Sequence, residues 1–449
     1  MPTYNTRLHR SDGFCYKHCV QKTPEADLVR GIRRWDLVAL TINGIIGAGI
    51  FGLPSKVYAL IGTYSLIAFV ACALVVALII LCFAEVGSRF EETGGPYLYA
   101  REAFQPAVAF EVGWLFWLVR ITAFAANCNL LINYLSFFWT PATSPPWRAT
   151  IIVLVVVMLA VVNLLGIRQA AIVSNLFTVG KLVPIIIFIA AGLFFLNPQA
   201  YVPGPAPTTA AFSQSVLLLV YAFTGFEMAT IPAGEIRDPQ RSLPRALLIA
   251  ILVVAVLYIL IQVVCVGTLP GLAQSQKPLA DAGSQFLGAA GGAIISAGAV
   301  VSITGNLNIL LLSASRLPFA MAEQKQLPAF VGSIHRTFFT PYVAILITAA
   351  FMLVLTLKSS FLAALTISVI ARLFTYGATC LALPLFRARK EAPAALFRLP
   401  GGTVIAILSL ILIVWLLLHS TLAEAKAAAV AGAVGLVIYL IYWLYSRRG

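Results

Sequence analysis

The sequence has few charged residues for its length. Of its 449 residues, 10% are Asp, Glu, Lys or Arg, whereas 61% are hydrophobic. This composition excludes a water-soluble domain of this size, because such a domain needs a far more polar surface. Histidine is also scarce, and the four residues do not combine with a nucleophile or a metal-binding spacing that an enzyme would use. The histidines are His9, His18, His335 and His419. We therefore expect a membrane protein that is not an enzyme and has no cofactor or metal.

Cysteine is present without forming a recognisable metal motif. Cys15 and Cys19 stand near His9 and His18, but at spacings that no standard zinc site uses. The other five cysteines fall in apolar segments, where cysteine behaves as a small apolar residue. We expect residues 1–34 to be a disordered cytoplasmic tail with reduced cysteines, and no cleavable signal peptide is apparent in it.

Long apolar runs dominate the rest of the sequence. A helix needs about 20 apolar residues to cross roughly 30 Å of hydrocarbon, and twelve runs meet this requirement. They cover residues 35–62, 64–88, 104–139, 148–165, 171–196, 212–233, 243–269, 284–322, 341–357, 360–387, 401–420 and 424–446. We predict an all-α integral membrane protein with about 12 transmembrane helices, the first of which serves as the insertion signal.

The net charge of +14 indicates topology rather than a nucleic-acid partner. With a cytoplasmic amino terminus, most of the 30 Lys and Arg residues lie on the cytoplasmic side of the predicted spans. The basic residues of the predicted outer loops are only Arg148, Lys277, Lys358 and Lys426. Those within predicted spans are Lys56, Arg120, Lys181 and Arg372. We therefore predict a multi-pass protein of the cell membrane with both termini in the cytoplasm.

Glycines crowd the middle of the first apolar run. The segment GAGIFG at 47–52 fits the pattern of a dinucleotide-binding loop, but such a loop follows a strand and precedes an acidic residue by about 20 positions. Here the next acidic residue is Glu85. Gly44, Ala48 and Gly52 recur every four residues, which is also typical of close helix packing. Because each glycine costs up to about 1 kcal/mol of helix propensity, we favour an interrupted helix whose freed N–H groups hold a carboxylate.

A transporter built from inverted repeats would have a second interrupted span, five spans after the first. The sixth apolar run carries Thr224 and Gly225 at its middle, before a predicted half-helix that begins around Phe226. A single glycine in a membrane helix is often only a kink. The two runs together nevertheless predict unwound segments near 44–48 and 223–226 that face one cavity.

Four long motifs resemble a known family. They are GIIGAGIFGLP in the first run, FAEVGSRFEETGGPYLYAREAF between the second and third, FTGFEMATIPAGEIRDPQRSLPRA around the sixth and ARLFTYGATCLALPLFR in the tenth. Over residues 34–447 the sequence resembles the amino acid–polyamine–organocation (APC) superfamily, in its amino-acid permease branch. The resemblance implies a secondary amino-acid transporter with a LeuT-like fold, in which residues 35–210 and 211–390 are inverted repeats of five spans. Residues 391–449 then hold spans eleven and twelve and a short cytoplasmic carboxyl terminus.

The resemblance also implies a substrate site at the two breaks. The carboxylate of an amino acid is expected on the backbone amides of Gly47, Ala48 and Gly49. Its ammonium group is expected near the carbonyls of Ile42, Ile45, Tyr221 and Thr224. Ala48, Thr224 and Phe226 favour a neutral side chain, whereas Glu227 leaves a cationic one open.

Lys181 lies near the middle of the fifth span, where an unpaired ammonium is costly. Sodium-coupled relatives with this fold hold Na⁺ between spans one, five and eight, and proton-coupled members resemble this sequence in placing a lysine there. The resemblance thus implies coupling to H⁺ rather than Na⁺, with Lys181 and Glu227 as the coupling residues. A purely structural role remains open for both, as a cross-link for Lys181 and as a helix cap for Glu227.

Several readings of the function remain open. Proton-driven uptake of a neutral amino acid is favoured, and the alternatives are sodium-independent exchange, a cationic amino-acid permease and a transporter-like sensor. A channel is disfavoured, since the spans show no continuous polar path. Among the charged residues, Arg120 belongs to no motif and Arg372 is expected to support structure. The acidic residues Glu85, Glu235 and Asp238 stand beside Arg89, Arg237 and Arg241, and we predict ion pairs at the cytoplasmic face.

Overall fold

The computed structural model describes residues 32–446 except 93, 166–169, 232, 234–235, 325 and 339. The helices, numbered along the chain, are α1 (Arg34–Ile45), α2 (Ala48–Ile61), α3 (Ser65–Gly87), α4 (Gly95–Ala103), α5 (Pro106–Leu135), α6 (Pro145–Leu165), α7 (Ala170–Gly192), α8 (Thr209–Ala222), α9 (Pro239–Thr268), α10 (Pro278–Glu323), α11 (Tyr342–Lys358), α12 (Phe361–Ala388), α13 (Gly402–Leu418) and α14 (Leu422–Ser446). No strand occurs in this part of the chain. The predicted all-α class is therefore confirmed for the described residues.

Many of these helices are suited to a membrane. Among the described residues, seven helical runs are long and apolar enough to cross a bilayer: Ala48–Gly87, Pro106–Leu135, Pro145–Leu165, Pro239–Thr268, Pro278–Glu323, Phe361–Ala388 and Ala425–Leu444. Shorter apolar helices lie at Gly180–Phe195, Thr209–Ala222, Tyr342–Lys358 and Gly402–Leu418. The protein is thus a multi-pass membrane protein. The count of twelve spans and the side on which the termini lie stay predictions.

The first predicted span is interrupted at its middle. Helix α1 ends at Ile45 and α2 begins at Ala48. Between them, Ile46 has φ −71° and ψ 87°, and Gly47 has φ −117° and ψ −153°, so neither residue is helical. The break lies inside the predicted segment 44–48.

The sixth predicted span is interrupted as well, but its second half differs from the prediction. Helix α8 ends at Ala222, and Gly225 takes up a left-handed conformation with φ 109°. A short 3₁₀ helix, Phe226–Thr230, follows in place of the predicted α-helical half. Pro232 and Gly234 come next in the sequence, and neither residue type favours continuation of an α-helix. The predicted half-helix thus begins at the expected residue, Phe226, but it is a short 3₁₀ helix and not an α-helix.

The two breaks lie against each other. A Cβ atom on Gly44 would be 2.9 Å from the carbonyl oxygen of Gly225, and one on Gly49 would be 2.7 Å from the Cα atom of Ala222. Both distances are too short for a side chain. The glycines of the first span therefore lie at a helix break and also allow neighbouring segments to pack closely. The sequence had offered these as two alternative explanations, and both apply.

Helix α5 forms the centre of the bundle. It packs against α10, α11, α12 and α14 and is almost wholly buried. Around it, α2 packs against α8, α3 against α9, and α10 against α7. This arrangement brings the broken spans to one side of α5, where they enclose a cavity with it.

Candidate functional site

A cavity of about 650 Å³ lies between the two breaks. Its walls come from α1, α2, α5, α7, α8, α10 and α12. The residues proposed from sequence that line it are Ile45, Gly47, Ala48, Gly49, Lys181, Tyr221 and Thr224. Ile42 and Glu227, which were proposed with them, do not line it. The structure therefore brings most of the predicted site together around a single space.

The start of α2 forms one wall of this cavity. The N–H groups in the first turn of a helix lack partners within the helix, and the positive end of the helix dipole lies there. Gly47 immediately precedes α2 in an extended conformation, and a Cβ on it would collide with the amide nitrogen of Asn306. Ala48 and Gly49 open the helix and also line the cavity. This wall is suited to an anionic group such as a carboxylate.

The backbone carbonyls expected to meet an ammonium group already accept hydrogen bonds. The Ile42 carbonyl accepts the N–H of Ile46 at 2.9 Å, so it caps α1 instead of facing the cavity. The Ile45 carbonyl accepts the Tyr258 hydroxyl at 3.1 Å, and the Tyr221 carbonyl accepts the Thr224 hydroxyl at 2.7 Å. Since a carbonyl oxygen has two lone pairs, Ile45 keeps one for a ligand. The Tyr221 carbonyl also accepts the N–H of Thr224 at 3.3 Å, so both of its lone pairs are used and its expected contact with an ammonium group is corrected. The place expected for Ile42 is corrected as well, because this residue does not line the cavity.

Lys181 binds the end of α1. Its Nζ donates hydrogen bonds to the carbonyls of Asn43 at 2.6 Å and Ile46 at 2.7 Å, and the residue is 4% exposed. These carbonyls belong to the end of a helix, where a positive charge is favourable. The cross-link between the first and fifth spans that the sequence left open is therefore present. In addition, the ammonium occupies the Asn43 and Ile46 carbonyl oxygens, which a Na⁺ ion bound at this place would need as ligands.

Glu227 lies behind the cavity wall, within a fully buried ion cluster. Its Oε1 accepts a hydrogen bond from Nη1 of Arg372 at 2.6 Å and lies 3.6 Å from Nη2 of Arg120. Its Oε2 accepts hydrogen bonds from the Tyr376 hydroxyl at 2.7 Å and the Gly225 N–H at 2.9 Å. The bond from Gly225, which immediately precedes the 3₁₀ helix, is the helix-capping contact that the sequence left open for Glu227. The other partners occupy the rest of the carboxylate, so the structure does not support the substrate-binding role expected for it. Both arginines also line the cavity, although the sequence indicated no role for Arg120.

Several cavity residues were missed by the sequence reasoning. The Tyr221 hydroxyl donates to Oδ1 of Asn127 at 2.5 Å, and Asn127 and Asn306 both line the cavity. A polar side chain within an apolar run is a signal that could have identified these two asparagines. Phe226, by contrast, does not line the cavity and packs on Phe83 with ring centroids 5.1 Å apart. Its proposed part in selecting a neutral side chain was wrong.

One end of the cavity is open. Its exposed rim is formed by Leu40, Ile309 and Leu312, which are 36%, 36% and 37% exposed. Leu40 precedes the break in α1, so the opening is on the side where the first span begins. On the far side of the break, the Tyr134 hydroxyl donates to the Phe51 carbonyl at 2.6 Å, and the Phe361 ring packs on Gly52. The cavity is thus accessible from one side of the bundle and closed on the other.

An ion cluster forms at the carboxyl end of α3. Glu85 pairs with Arg89 at 3.1 Å, as predicted, and Arg387 donates to both of its oxygens at 2.8 and 2.6 Å. The N–H of Leu399 donates to the same carboxylate at 2.8 Å. Glu85 therefore joins α3, α12 and the segment before α13, which the sequence pattern did not indicate. Glu235, from another predicted pair, lies outside the described residues.

No cluster of three or more His, Cys, Asp or Glu side chains in the described part of the chain could hold a metal ion. Among the described residues, the cavity is lined by the basic residues Arg120, Lys181 and Arg372 and by no Asp or Glu. Its chemistry is therefore that of hydrogen bonding and positive charge. Such a site can bind a polar or anionic solute but offers no nucleophile with an adjacent base.

We expect Gly49→Ala to impair binding of an amino acid in the cavity by displacing α2 from α8. The added Cβ would lie 2.7 Å from Cα and 3.1 Å from the nitrogen of Ala222, and these backbone atoms cannot move without moving α8. The check is ligand-induced stabilisation of purified protein, measured as a shift in Tm. Gly377→Ala is the matched control, because its Cβ would meet its nearest neighbour, Leu410, at 3.9 Å. An unchanged ligand-induced shift in Gly49→Ala would contradict the expectation.

Tyr258 of α9 joins the ends of both broken helices. Its hydroxyl lies 3.1 Å from the Ile45 carbonyl and 3.1 Å from the Ala222 carbonyl, and its single proton serves one of them at a time. We expect Tyr258→Phe to weaken amino-acid binding roughly two- to tenfold, the effect of losing one hydrogen bond. Tyr201→Phe is the control, since the Tyr201 hydroxyl donates to the Val263 carbonyl away from the cavity. Equal affinities in wild type and Tyr258→Phe would refute this role.

The chain matches known proteins along most of its length. The family model described as "Amino acid permease" matches residues 32–442. The serine/threonine exchanger SteT of Bacillus subtilis (strain 168) is 27% identical over 92% of this chain and 95% of that protein. From the same organism, the methylthioribose transporter is 26% identical over 94% of both chains, and the branched-chain amino acid permease BcaP is 27% identical over 94% of both.

Proposed function

Because the chain belongs to the amino acid permease family of the APC superfamily, we propose that it is a secondary transporter that moves an amino acid across the cell membrane by alternating access. Two of the similar proteins are named for amino acids, serine and threonine in one and branched-chain amino acids in the other. The observation that carries the proposal is the single cavity between two interrupted helices, with the first turn of α2 as one wall.

The amino acid lies in this cavity with its carboxylate on the N–H groups of Gly47, Ala48 and Gly49. Its ammonium group lies near the carbonyls of Ile45 and Thr224, where the helix ends are negative. A cationic side chain is disfavoured, because the described part of the cavity lining has basic residues and no Asp or Glu. The small lining residues Ala48 and Thr224 favour a neutral side chain, and the basic lining also accepts an acidic one.

Transport is driven by protons and does not use Na⁺. The support for this proposal is the position of Lys181, whose ammonium binds the Asn43 and Ile46 carbonyls. Loss of its proton would weaken the hold of α7 on the end of α1, and return of the proton would restore it. Protonation of Lys181 and movement of α1 are thereby coupled. Glu227 contributes by anchoring the second break to α12 through Arg372.

The conformation described here faces the cytoplasm. We place the amino terminus on that side from the distribution of basic residues, and the open rim at Leu40 lies on the same side of the break. Residues 35–210 and 211–390 form the inverted repeats, and the paired breaks of α1/α2 and α8 support this division. Closing of the Leu40 rim and separation of Phe361 from Gly52 would then give the outward-facing state.

Exchange of one amino acid for another is the second candidate, favoured by the similarity to a serine/threonine exchanger. The test is uptake of radiolabelled amino acids into proteoliposomes that contain no amino acid. Under an imposed pH gradient, symport predicts net uptake into these empty vesicles, whereas obligatory exchange predicts uptake only into preloaded ones. A Na⁺ gradient without a pH gradient is the control. Uptake driven by Na⁺ alone would refute the proposed coupling, and no uptake of any amino acid would refute the function.

A further inference from the structure

The buried ion cluster beside the cavity is not balanced in charge. Arg120, Arg372 and Glu227 are 2%, 3% and 0% exposed, so two guanidinium groups share one carboxylate. Arg372 is the closer partner, at 2.6 Å from Oε1 of Glu227, and Arg120 lies 3.6 Å from the same oxygen. The other oxygen accepts hydrogen bonds from Tyr376 and Gly225. Glu227 therefore neutralises one arginine and leaves the other in excess.

No second carboxylate compensates for this charge within the described residues. The ion pair that Arg120 makes in the described structure is with Glu227, which Arg372 also binds. Phe116 of the same helix packs its ring 4.4 Å from the Arg120 guanidinium carbon, but an aromatic face does not neutralise a cation. Burial of a cation without a counter-charge is strongly unfavourable, so the surplus charge requires a partner.

The unsatisfied groups of both arginines border the cavity. Nε and Nη2 of Arg120 and Nε of Arg372 are buried and have no hydrogen-bond partner within the described residues, and both side chains line the cavity. A guanidinium group is suited to paired hydrogen bonds with a carboxylate. The cavity thus contains donors that make no hydrogen bond within the described residues, and a surplus positive charge beside them.

We propose that the substrate supplies the missing charge, and that this transporter carries an amino acid whose side chain ends in a carboxylate, of the glutamate or aspartate class. The inference rests on the proposed function. The α-carboxylate occupies the first turn of α2, and the side-chain carboxylate pairs with Arg120. Arg120, Ala123 and Asn127 share one face of α5 and all line the cavity, with Asn127 about 10 Å from Arg120 along the helix axis. The acidic side chain lies along this face.

The ligands themselves provide the first test. Glutamate and glutamine have the same length and differ in the charge of the side chain, as do aspartate and asparagine. We expect the purified full-length protein to bind at least one of the two acids at least about tenfold more tightly than its amide, as expected for a desolvated charge-assisted pair. Affinity is measured by competition with a radiolabelled amino acid that the protein binds. Equal or weaker binding of both acids overturns the inference.

The second test removes the surplus charge. In Arg120→Gln the acid-to-amide affinity ratio is expected to fall to near one, and in Arg120→Lys, which keeps the charge, a preference for the acid should persist. Arg245→Gln, at an exposed position of α9, is the matched control and should keep the wild-type ratio. A ratio that is the same in wild type and Arg120→Gln overturns the inference, because Arg120 then plays no part in recognition.

These measurements distinguish failure of this inference from failure of the proposed function. They also distinguish an acidic substrate from an inorganic anion as the partner of Arg120. Binding of glutamine or another neutral amino acid without any preference for the acids leaves the transporter function intact and discards only the acidic substrate. Failure of every amino acid to bind would instead refute the function. All measurements are repeated in chloride and in gluconate salts. A neutral amino acid that binds tightly only in chloride would show that an inorganic anion pairs with Arg120, which also overturns the inference.

Discussion

Lys181→Ala is expected to abolish accumulation of amino acid driven by a pH gradient, while the protein still binds its substrate. The variant loses the ammonium that holds the Asn43 and Ile46 carbonyls, so protonation no longer affects the end of α1. The carboxylate wall at the start of α2 is left in place, and we expect affinity for the amino acid to change by less than about tenfold. The measurement is the accumulation ratio of radiolabel in proteoliposomes under an imposed pH gradient.

Lys56→Ala is the matched control for this variant. Lys56 also lies in the first membrane run, but its Nζ donates to Oε1 of Gln276 at 2.8 Å, beyond the closed side of the break. Na⁺ should not replace H⁺ in the wild type, since two unit charges 4 Å apart repel by about 4 kcal/mol at an effective dielectric constant of 20. An accumulation ratio in Lys181→Ala that responds to pH as the wild type does would leave Lys181 with only its structural role.

Glu227→Gln is expected to destabilise the protein strongly. The change removes the one negative charge of its cluster and leaves Arg120 and Arg372 buried together, with nothing to balance them. Breaking a buried ion pair by removing one partner typically costs about 3–5 kcal/mol. Thermal unfolding of the purified protein in detergent should therefore begin at a clearly lower temperature. Glu111→Gln is the matched control, because Oε2 of Glu111 is buried without a hydrogen-bond partner in the described structure and should tolerate the loss of charge.

A double-mutant cycle makes this prediction sharper. Combining Glu227→Gln with Arg120→Gln returns the cluster to one net positive charge, the value of the wild type. We expect the double variant to unfold at a higher temperature than Glu227→Gln alone, because the repulsion between the two arginines is gone. If the loss of stability in the double variant equals the sum of the losses in the two single variants, Arg120 and Glu227 do not interact. That result would contradict the charge balance described here.

The breaks and the residues around them were largely predictable from sequence. Four glycines within nine residues are difficult to reconcile with a continuous helix, so the interruption at Ile46 and Gly47 could be located from helix propensity alone. The expected symmetry of inverted repeats then located the second break near Gly225. The first prediction depends on a local property of the chain, which can be read from a short segment, and the second depends on the repeat symmetry as well.

Contacts between distant segments could not be predicted in the same way. Glu227 and Arg372 are separated by 145 positions, and no local pattern indicates that they meet. The sequence left a helix cap open for Glu227, and its carboxylate does accept the N–H of Gly225 before the short 3₁₀ helix. Its ion pairs with Arg120 and Arg372 lie outside any local pattern. Tyr258 was missed for a related reason, since a tyrosine in an apolar run shows no sign of the two carbonyls that it approaches.

The central claim is that an amino acid binds in the cavity with its carboxylate at the start of α2. The most direct test is a cryo-electron microscopy structure of the protein with the amino acid that gives the largest increase in Tm among the twenty standard ones. We predict that its α-carboxylate lies within hydrogen-bonding distance of the N–H groups of Gly47, Ala48 and Gly49. An amino acid bound outside this cavity, or one bound inside it with its ammonium group at the start of α2, would contradict the account.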